Sequence, residues 1–184
     1  MAVIHRITEQ EYRELALAGT QWELWNGEPR EKPFMSVAHD NLAFRLGFLL
    51  QGQLDWNVFQ INVNGAKARV DSSTYFIPDV VVIPVAYQAA LEGGARAFNV
   101  ISSPLPLVVE VWSPSTGTYD FERKLAAYRE RGDAEIWFIH PYERTLTAWR
   151  RQADGRYEES RVDRGVIPIS SLPGVSIDLD DLLK

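Results

Sequence analysis

The sequence predicts an α/β fold in which helices flank a mixed β-sheet. Three observations support this prediction. Two short apolar runs, FIPDVVVIP at 76–84 and LVVEVW at 107–112, are typical of strands that are covered on both faces. A segment with helical periodicity, 119–131, follows the second run, and a third apolar run, EIWFIH at 135–140, follows that segment. This order of strands and helix indicates a sheet that is at least partly parallel.

The N-terminal part is predicted to begin with a short helix and a hairpin. Residues 8–11, Thr-Glu-Gln-Glu, have the pattern of a capping box, so we expect a helix through Leu17 that ends at Gly19. WELWNGEPREK at 22–32 is typical of a hairpin, because Asn26-Gly27 is the strongest short hairpin signal.

A second helix and two strands are predicted next. Ser36 is a suitable N-cap for a helix to about Leu54, in which leucines at helical spacing share one face. Apolar and polar residues alternate over 59–63, which predicts a half-buried strand. Asn64-Gly65 then predicts a turn, and residues 66–70 are expected to pair back on that strand.

The C-terminal part is predicted to complete the sheet. Gly132 is a suitable C-cap for the helix at 119–131. Residues 145–150 and 156–162 have the pattern of an edge hairpin, and DLDDLLK at 178–184 predicts a short closing helix. The segment that contains Gly93-Gly94 has no defined pattern.

Size and composition favour one intracellular domain. A chain of 184 residues lies within the usual range of a single domain. It has no cysteine, which excludes disulfides, thiolate zinc sites and a cysteine nucleophile, and which fits a reducing cytoplasm. No apolar run approaches the roughly 18 to 20 residues of a membrane span, and the N-terminus lacks a secretory signal. We therefore expect a cytoplasmic protein that does not contact a membrane.

Two acidic residues inside the apolar runs are the strongest candidates for a functional site. Asp79 lies in the first run and Glu110 in the second. A buried carboxylate is unfavourable by several kcal/mol unless positive charge lies nearby. If the two runs are neighbouring strands, both side chains can project from one face, where a divalent cation would relieve their repulsion. Oxygen ligands, with no cysteine and three histidines in the chain, favour Mg²⁺ or Mn²⁺ over zinc.

A purely structural role for these acids, each paired with an arginine, is the competing interpretation. The helix after Glu110 bears on the choice. Lys124 lies in its first turns, on the flank of an apolar stripe formed by Phe121, Leu125 and Tyr128. Its ammonium can turn towards the carboxylates, or its stem can be buried while the ammonium stays in water. The residues alone leave both positions open.

Several motifs of the chain resemble those of the Uma-two family. The most specific are Pro78-Asp79, EVWSPS at 110–115 and KLAAY at 124–128. The likeness continues through WEL at 22–24, Gly27, His39, Gly132, Ile136-Trp137, His140-Pro141 and Leu172-Pro173-Gly174, and so covers nearly the whole chain. This bacterial family belongs to the PD-(D/E)xK superfamily of nucleases.

The resemblance implies one restriction-endonuclease-like domain over residues 1–184. This is an α/β fold with a central mixed β-sheet flanked by helices, an N-terminal hairpin and a C-terminal edge hairpin. The implied reaction is divalent-metal-dependent hydrolysis of phosphodiester bonds in DNA. Asp79 and Glu110 would be ligands of Mg²⁺ or Mn²⁺, and both would act in catalysis.

The chain departs from the superfamily pattern at Trp112. A lysine is expected there, two residues after the second acid, so Lys124 would supply the catalytic amine from the helix instead. His140 stands where relatives often carry aspartate, and we expect it to be structural.

Three further residues are expected around the site. Glu23 and Tyr128 lie in motifs of the family, although Glu23 is equally well interpreted as an exposed strand glutamate. For His39 we favour a packed or capping histidine over one that touches the site.

Two functions of different classes are therefore weighed. The first is a divalent-metal-dependent endonuclease acting on DNA. The second is a catalytically inactive nuclease-fold module for binding or assembly, which Trp112 and the formal net charge of −6 favour. We also expect a homodimer, because the chain is 46% hydrophobic with six tryptophans, and nucleases that cut both strands often pair their sites by two-fold symmetry.

Overall fold

The computed structural model describes residues 5–17, 21–32, 35–87, 100–114 and 117–184. The helices of these ranges are α1 (Glu9–Leu17), α2 (Val37–Gln51), α3 (Gly117–Arg131) and α4 (Leu179–Leu182), with a 3₁₀ turn at Val85–Tyr87. None of them is long and apolar enough to cross a membrane.

The strands of the same ranges form the larger part of the fold. They are β1 (Trp22–Trp25), β2 (Glu28–Glu31), β3 (Phe59–Val63), β4 (Lys67–Asp71), β5 (Thr74–Phe76), β6 (Val80–Pro84), β7 (Val100–Ile101), β8 (Leu107–Val111), β9 (Glu135–His140), β10 (Thr145–Arg151), β11 (Tyr157–Val162), β12 (Val166–Pro168) and β13 (Ser176–Asp178).

Two mixed sheets organise these strands. The larger sheet has the order β11-β10-β9-β8-β6-β3, in which β8 and β9 are parallel and the other pairs are antiparallel. The smaller sheet has the order β2-β1-β5-β4-β7, and β12 pairs with β13 separately. The predicted mixed α/β fold is confirmed, including the edge hairpin β10–β11. The smaller sheet, which has five strands, was not predicted.

The larger sheet is buried on both faces, which explains why its central strands have continuous apolar runs. On one face, Leu46 and Leu50 of α2 pack in a cluster with Val80 and Val109. On the other face, Val81 and Val108 belong to a second cluster, which Phe121 and Tyr128 of α3 and Phe76 of the smaller sheet complete.

Local signals at the ends of the elements are confirmed. The backbone N–H of Thr8 donates to Glu11 Oε2 at 2.7 Å, and that of Glu11 donates to Thr8 Oγ1 at 3.3 Å, as a capping box requires. Asn26 and Gly27 have positive φ and form the turn between β1 and β2. Gly132 has φ of 80° directly after α3. The predicted helix end at Gly19 and the Gly93-Gly94 segment lie outside the described residues.

The predicted hairpin at Asn64-Gly65 is wrong. β3 pairs with β6, with Val63 opposite Val80, whereas β4 pairs with β5 and β7 in the smaller sheet. The Asn62 side-chain oxygen accepts the backbone N–H groups of Gly65 and Ala66, at 2.9 and 2.7 Å, and so turns the chain away from β3. This turn carries the chain from one sheet to the other.

Two predicted boundaries also shift. α2 ends at Gln51 rather than near Leu54, because Gly52, a weak helix former, follows as its C-cap. The run at 76–84 is not one strand: β5 ends at Phe76 and β6 begins at Val80. Pro78 cannot donate a backbone hydrogen bond, so Asp79 lies in a break directly before β6 rather than inside a strand.

A candidate metal site in a buried polar cluster

The two acids of the apolar runs lie next to each other at one end of the larger sheet. β6 and β8 are antiparallel with Val80 opposite Val109, and the same register continued by one residue places Asp79 opposite Glu110. Asp79 is 1% exposed and Glu110 is 7% exposed. The two runs are thus neighbouring strands, as the site prediction required.

Asp79 is held by donors from distant parts of the chain. Lys32 Nζ donates to Asp79 Oδ1 at 2.7 Å, and the backbone N–H of Val111 donates to Oδ2 at 2.7 Å. His39 Nε2 lies 3.0 Å from the same Oδ2. Burial alone would raise the pKa of Asp79, but the charges of Lys32 and His39 outweigh it and hold that pKa well below its usual range. Asp79 is therefore an ionised carboxylate.

His39 reaches Asp79 from the first turn of α2. The side chain of Ser36 caps this helix and accepts the backbone N–H of His39. The other ring nitrogen, Nδ1, lies 3.3 Å from Asp40 Oδ1. Burial would lower the pKa of His39, but the hydrogen bond and charge of Asp79 outweigh it and raise that pKa. His39 is buried as expected, but the preference for a packed or capping histidine over one that touches the site is wrong, because His39 contacts Asp79.

Glu110 takes its donors from α3. Lys124 Nζ lies 3.2 and 3.4 Å from its two oxygens, and the Tyr128 hydroxyl donates to Oε1 at 2.6 Å. Lys124 and Tyr128 are four residues apart, so they project from the same side of the helix. Burial raises the pKa of Glu110 to about 7; the charge of Lys124 opposes this rise and that of Asp79 adds to it.

Glu23 joins the N-terminal hairpin to the same group. Its Oε1 lies 2.8 Å from Lys124 Nζ and accepts the backbone N–H of Ile77 at 2.8 Å, and its Oε2 accepts Trp25 Nε1 at 3.0 Å. Glu23 is 5% exposed and is not the exposed strand residue of the alternative interpretation. Burial would lower the pKa of Lys124, but the charges of Glu110 and Glu23 outweigh it and raise that pKa.

Together these side chains form one polar cluster, each at most 7% exposed: Glu23, Lys32, His39, Asp79, Glu110, Lys124 and Tyr128. Three carboxylates face two ammonium groups, so one negative charge is left for a proton or a cation. The raised pKa values of Glu110 and His39 mark where such a proton would reside. The cluster therefore reaches neutrality only with one further positive charge.

Lys32 is the member of the polar cluster that sequence reasoning missed. All three of its ammonium hydrogens have acceptors, because Nζ also donates to Ile77 O at 2.7 Å and to Asn64 Oδ1 at 2.8 Å. One weak signal was available. Lys32 directly follows β2, whose partner strand β1 carries Glu23, so the hairpin brings both residues to the same sheet.

Trp112 brings no amine to the cluster. Its ring stacks on His140, with ring centres 4.4 Å apart and planes 23° apart, and it is nearly perpendicular to the ring of Tyr142, with ring centres 5.6 Å apart. His140 has the packing role expected of it. The lysines of the cluster come from the residue after β2 and from α3 instead.

Within the described residues, few side chains are grouped so that they could bind one metal ion. Across the ranges that the structure describes, no three His, Asp or Glu side chains are grouped so as to hold a metal ion. Asp79 and Glu110 contribute the two adjacent carboxylates, and the contact between Glu110 Oε2 and Lys124, at 3.4 Å, is the longest of the ion-pair contacts around them.

Comparison with known proteins agrees with the fold. The chain is similar over 96% of its length to a crystal structure described as "a putative nuclease belonging to DUF820" from Anabaena variabilis, of which it covers 97%, with 18% sequence identity and a TM-score of 0.78. No match was found among curated proteins. Residues 9–180 match the Uma2 family, described as "Putative restriction endonuclease". The motifs, the fold and this match over nearly the whole chain together establish that the protein belongs to the Uma2 (Uma-two) family.

Proposed function

We propose that the protein is a divalent-metal-dependent endonuclease that hydrolyses phosphodiester bonds in DNA. One observation carries the proposal: Asp79 and Glu110 are adjacent and buried at the end of two antiparallel strands, with the Lys124 ammonium 3.2 Å from Glu110. A buried group of this kind, with strongly shifted pKa values, is typical of a functional site. Membership of the Uma2 family supports the same reaction class.

The donor chemistry of the cluster fits a hard divalent cation. The site offers carboxylate oxygens and no thiolate, which suits Mg²⁺ or Mn²⁺. The unbalanced negative charge is also the kind that such a cation removes. Asp79 and Glu110 would hold the ion, and Lys32 would give up its contact with Asp79 Oδ1. When bound, the metal would polarise the scissile phosphate and lower the pKa of a coordinated water.

The residues of the chain would orient and neutralise the reacting groups. Lys124 would offset the negative charge that develops on the phosphate, since it is the lysine that contacts the second acid. Tyr128, whose pKa is raised well above its usual value by burial, would remain a hydrogen-bond donor and fix the rotamer of Glu110. His39 and the backbone N–H of Val111 would orient Asp79.

A cleavage assay tests this proposal. Purified protein is incubated with single- and double-stranded DNA in Mg²⁺, in Mn²⁺ and in EDTA, beside Asp79→Ala. Cleavage by the wild type that needs metal and disappears in Asp79→Ala supports it. Glu122, an exposed acid on α3, supplies the control, and Glu122→Ala is expected to retain most cleavage.

A non-catalytic nuclease-fold module is the second candidate. Two observations favour it: Trp112 packs on His140 where the superfamily carries a lysine, and the hydrogens of Lys32 are fully used within the protein. This candidate predicts that the wild type and Asp79→Ala bind nucleic acid or another protein equally, with no metal-dependent cleavage.

A further inference from the structure

The outward face of α2 is apolar although the helix lies at the surface. Val37, Phe44 and Phe48 are 77%, 70% and 71% exposed. They are seven and eleven residues apart, so they lie within an arc of about 40° around the helix axis. We call these three residues the outer face of α2. The opposite face of the same helix is buried against the larger sheet.

This apolar surface supplies much of the apolar core that an interface needs. An aromatic side chain of about 150 to 250 Å² that is about 70% exposed, as Phe44 and Phe48 are, presents on the order of 100 to 180 Å². The two rings together therefore present about 200 to 350 Å², and a standard interface buries about 800 Å² per partner, somewhat more than half of it apolar.

The polar residues of this surface carry no charge near its centre. Exposed Asn41 lies between Val37 and Phe44 along the helix, at one edge of the face. Charged residues lie only at the margins of this arc, and Arg45 there is engaged with the backbone carbonyls of Asp181, Leu182 and Lys184. Asp40 is an exposed carboxylate at the margin of the face, so a partner recognised through opposite charge would find no charge to pair with at its centre.

A second copy of the chain matches these properties. Each copy carries a net charge of −6, so two copies repel each other. This repulsion is smallest when the surfaces that face each other carry no ionised groups. A two-fold interface also requires a patch that is compatible with itself, which an apolar and amide surface is. In addition, the buried face of α2 packs on the larger sheet, so its outer face is turned away from that sheet towards solvent.

We propose that the outer face of α2 is the contact between two copies of this chain in a two-fold homodimer. The aromatic rings of one copy pack against those of the other, and Asn41 lies beside them. This proposal is independent of the nuclease function, because it rests only on the exposed surface of α2.

Sedimentation analysis over micromolar concentrations tests the interface. The wild type is expected at twice the 20.9 kDa of one chain. The double variant Phe44→Gln, Phe48→Gln is expected to weaken the dimer Kd at least about 100-fold, because aromatic residues at interface centres carry most of the affinity. Val166→Gln is the matched control, since Val166 is 65% exposed but lies on β12, and it is expected to remain dimeric.

Disulfide trapping provides a second test that does not remove any aromatic residue. The chain has no cysteine, so Asn41→Cys introduces a single thiol at the edge of the face, beside Phe44 and Phe48. Oxidation is expected to cross-link Asn41→Cys into covalent dimers and to leave Val166→Cys without a cross-link, as denaturing electrophoresis would show. A monomeric wild type at high micromolar concentration, or a dimer that the double variant leaves intact, would overturn the proposal.

Discussion

Substitution of Glu110 by glutamine is expected to stabilise the metal-free protein at neutral and alkaline pH. Burial raises the pKa of this carboxyl from 4.5 to about 7, so the folded protein resists its ionisation while the unfolded chain does not. A raised folded-state pKa contributes stability below the unfolded pKa, and this contribution is lost as the pH rises through the folded pKa. Glutamine does not ionise, so the variant Glu110→Gln does not lose this stability as the pH rises through the folded pKa of Glu110.

The magnitude follows from this pKa difference. A rise from 4.5 to about 7 corresponds to at most about 3 kcal/mol of lost stability. Glutamine keeps an oxygen that can accept the Tyr128 hydroxyl, and Lys124 retains Glu23 at 2.8 Å as an ion-pair partner. The substitution therefore leaves no buried charge without a partner. We expect the two proteins to be equally stable near pH 5 and the variant to be about 2 to 3 kcal/mol more stable above about pH 8.

Urea unfolding in EDTA at a series of pH values measures this difference. Glu122→Gln is the matched control, because Glu122 is an exposed glutamate on α3, and its stability should follow that of the wild type at every pH. Stability curves of Glu110→Gln and wild type that remain parallel across pH would refute the reasoning. So would a variant that is less stable at all pH values.

Two further substitutions test the cations of the polar cluster. Lys32→Met removes the ammonium that lies 2.7 Å from Asp79 Oδ1. Calorimetric titration should therefore give an Mn²⁺ Kd at least about 10-fold tighter than that of the wild type. Weaker binding would count against Lys32 as a competitor of the metal. Lys124→Met should lower metal-dependent cleavage by about 10² to 10³, and unchanged cleavage would exclude Lys124 from catalysis. It should also destabilise the fold by about 3 kcal/mol, because Glu23 and Glu110 lose their shared partner, and adding Glu110→Gln should restore part of that loss.

Local patterns were sufficient to predict most elements of the fold. The capping box before α1, the Asn26-Gly27 turn and Gly132 after α3 depend on residues that are neighbours in the chain, and each occurs as expected. The covered strands followed from their apolar runs, because both faces of the larger sheet are packed. The order of strands was less predictable, since Asn64-Gly65 has the sequence of a hairpin turn but connects two different sheets.

For the site too, the sequence predicted local features better than contacts between distant parts of the chain. Asp79 and Glu110 could be found from sequence because an acid in an apolar strand is unusual, and Lys124 because the helix follows directly. Lys32 had only the weak signal of the hairpin it follows, because its position beside Asp79 depends on how distant parts of the chain pack together. The two residues are 47 positions apart, and no periodic pattern in the sequence predicts a contact at that separation.

Calorimetric titration of the purified protein with Mn²⁺ tests the central claim, that Asp79 and Glu110 form a metal site. The wild type is expected to bind one Mn²⁺ per chain, with tighter binding as the pH rises past about 7, because the metal must displace the proton of Glu110. Glu110→Ala is expected to abolish this binding, while Glu122→Ala, on the exposed face of α3, should leave it unchanged. Equal Mn²⁺ binding by wild type and Glu110→Ala would contradict the assignment.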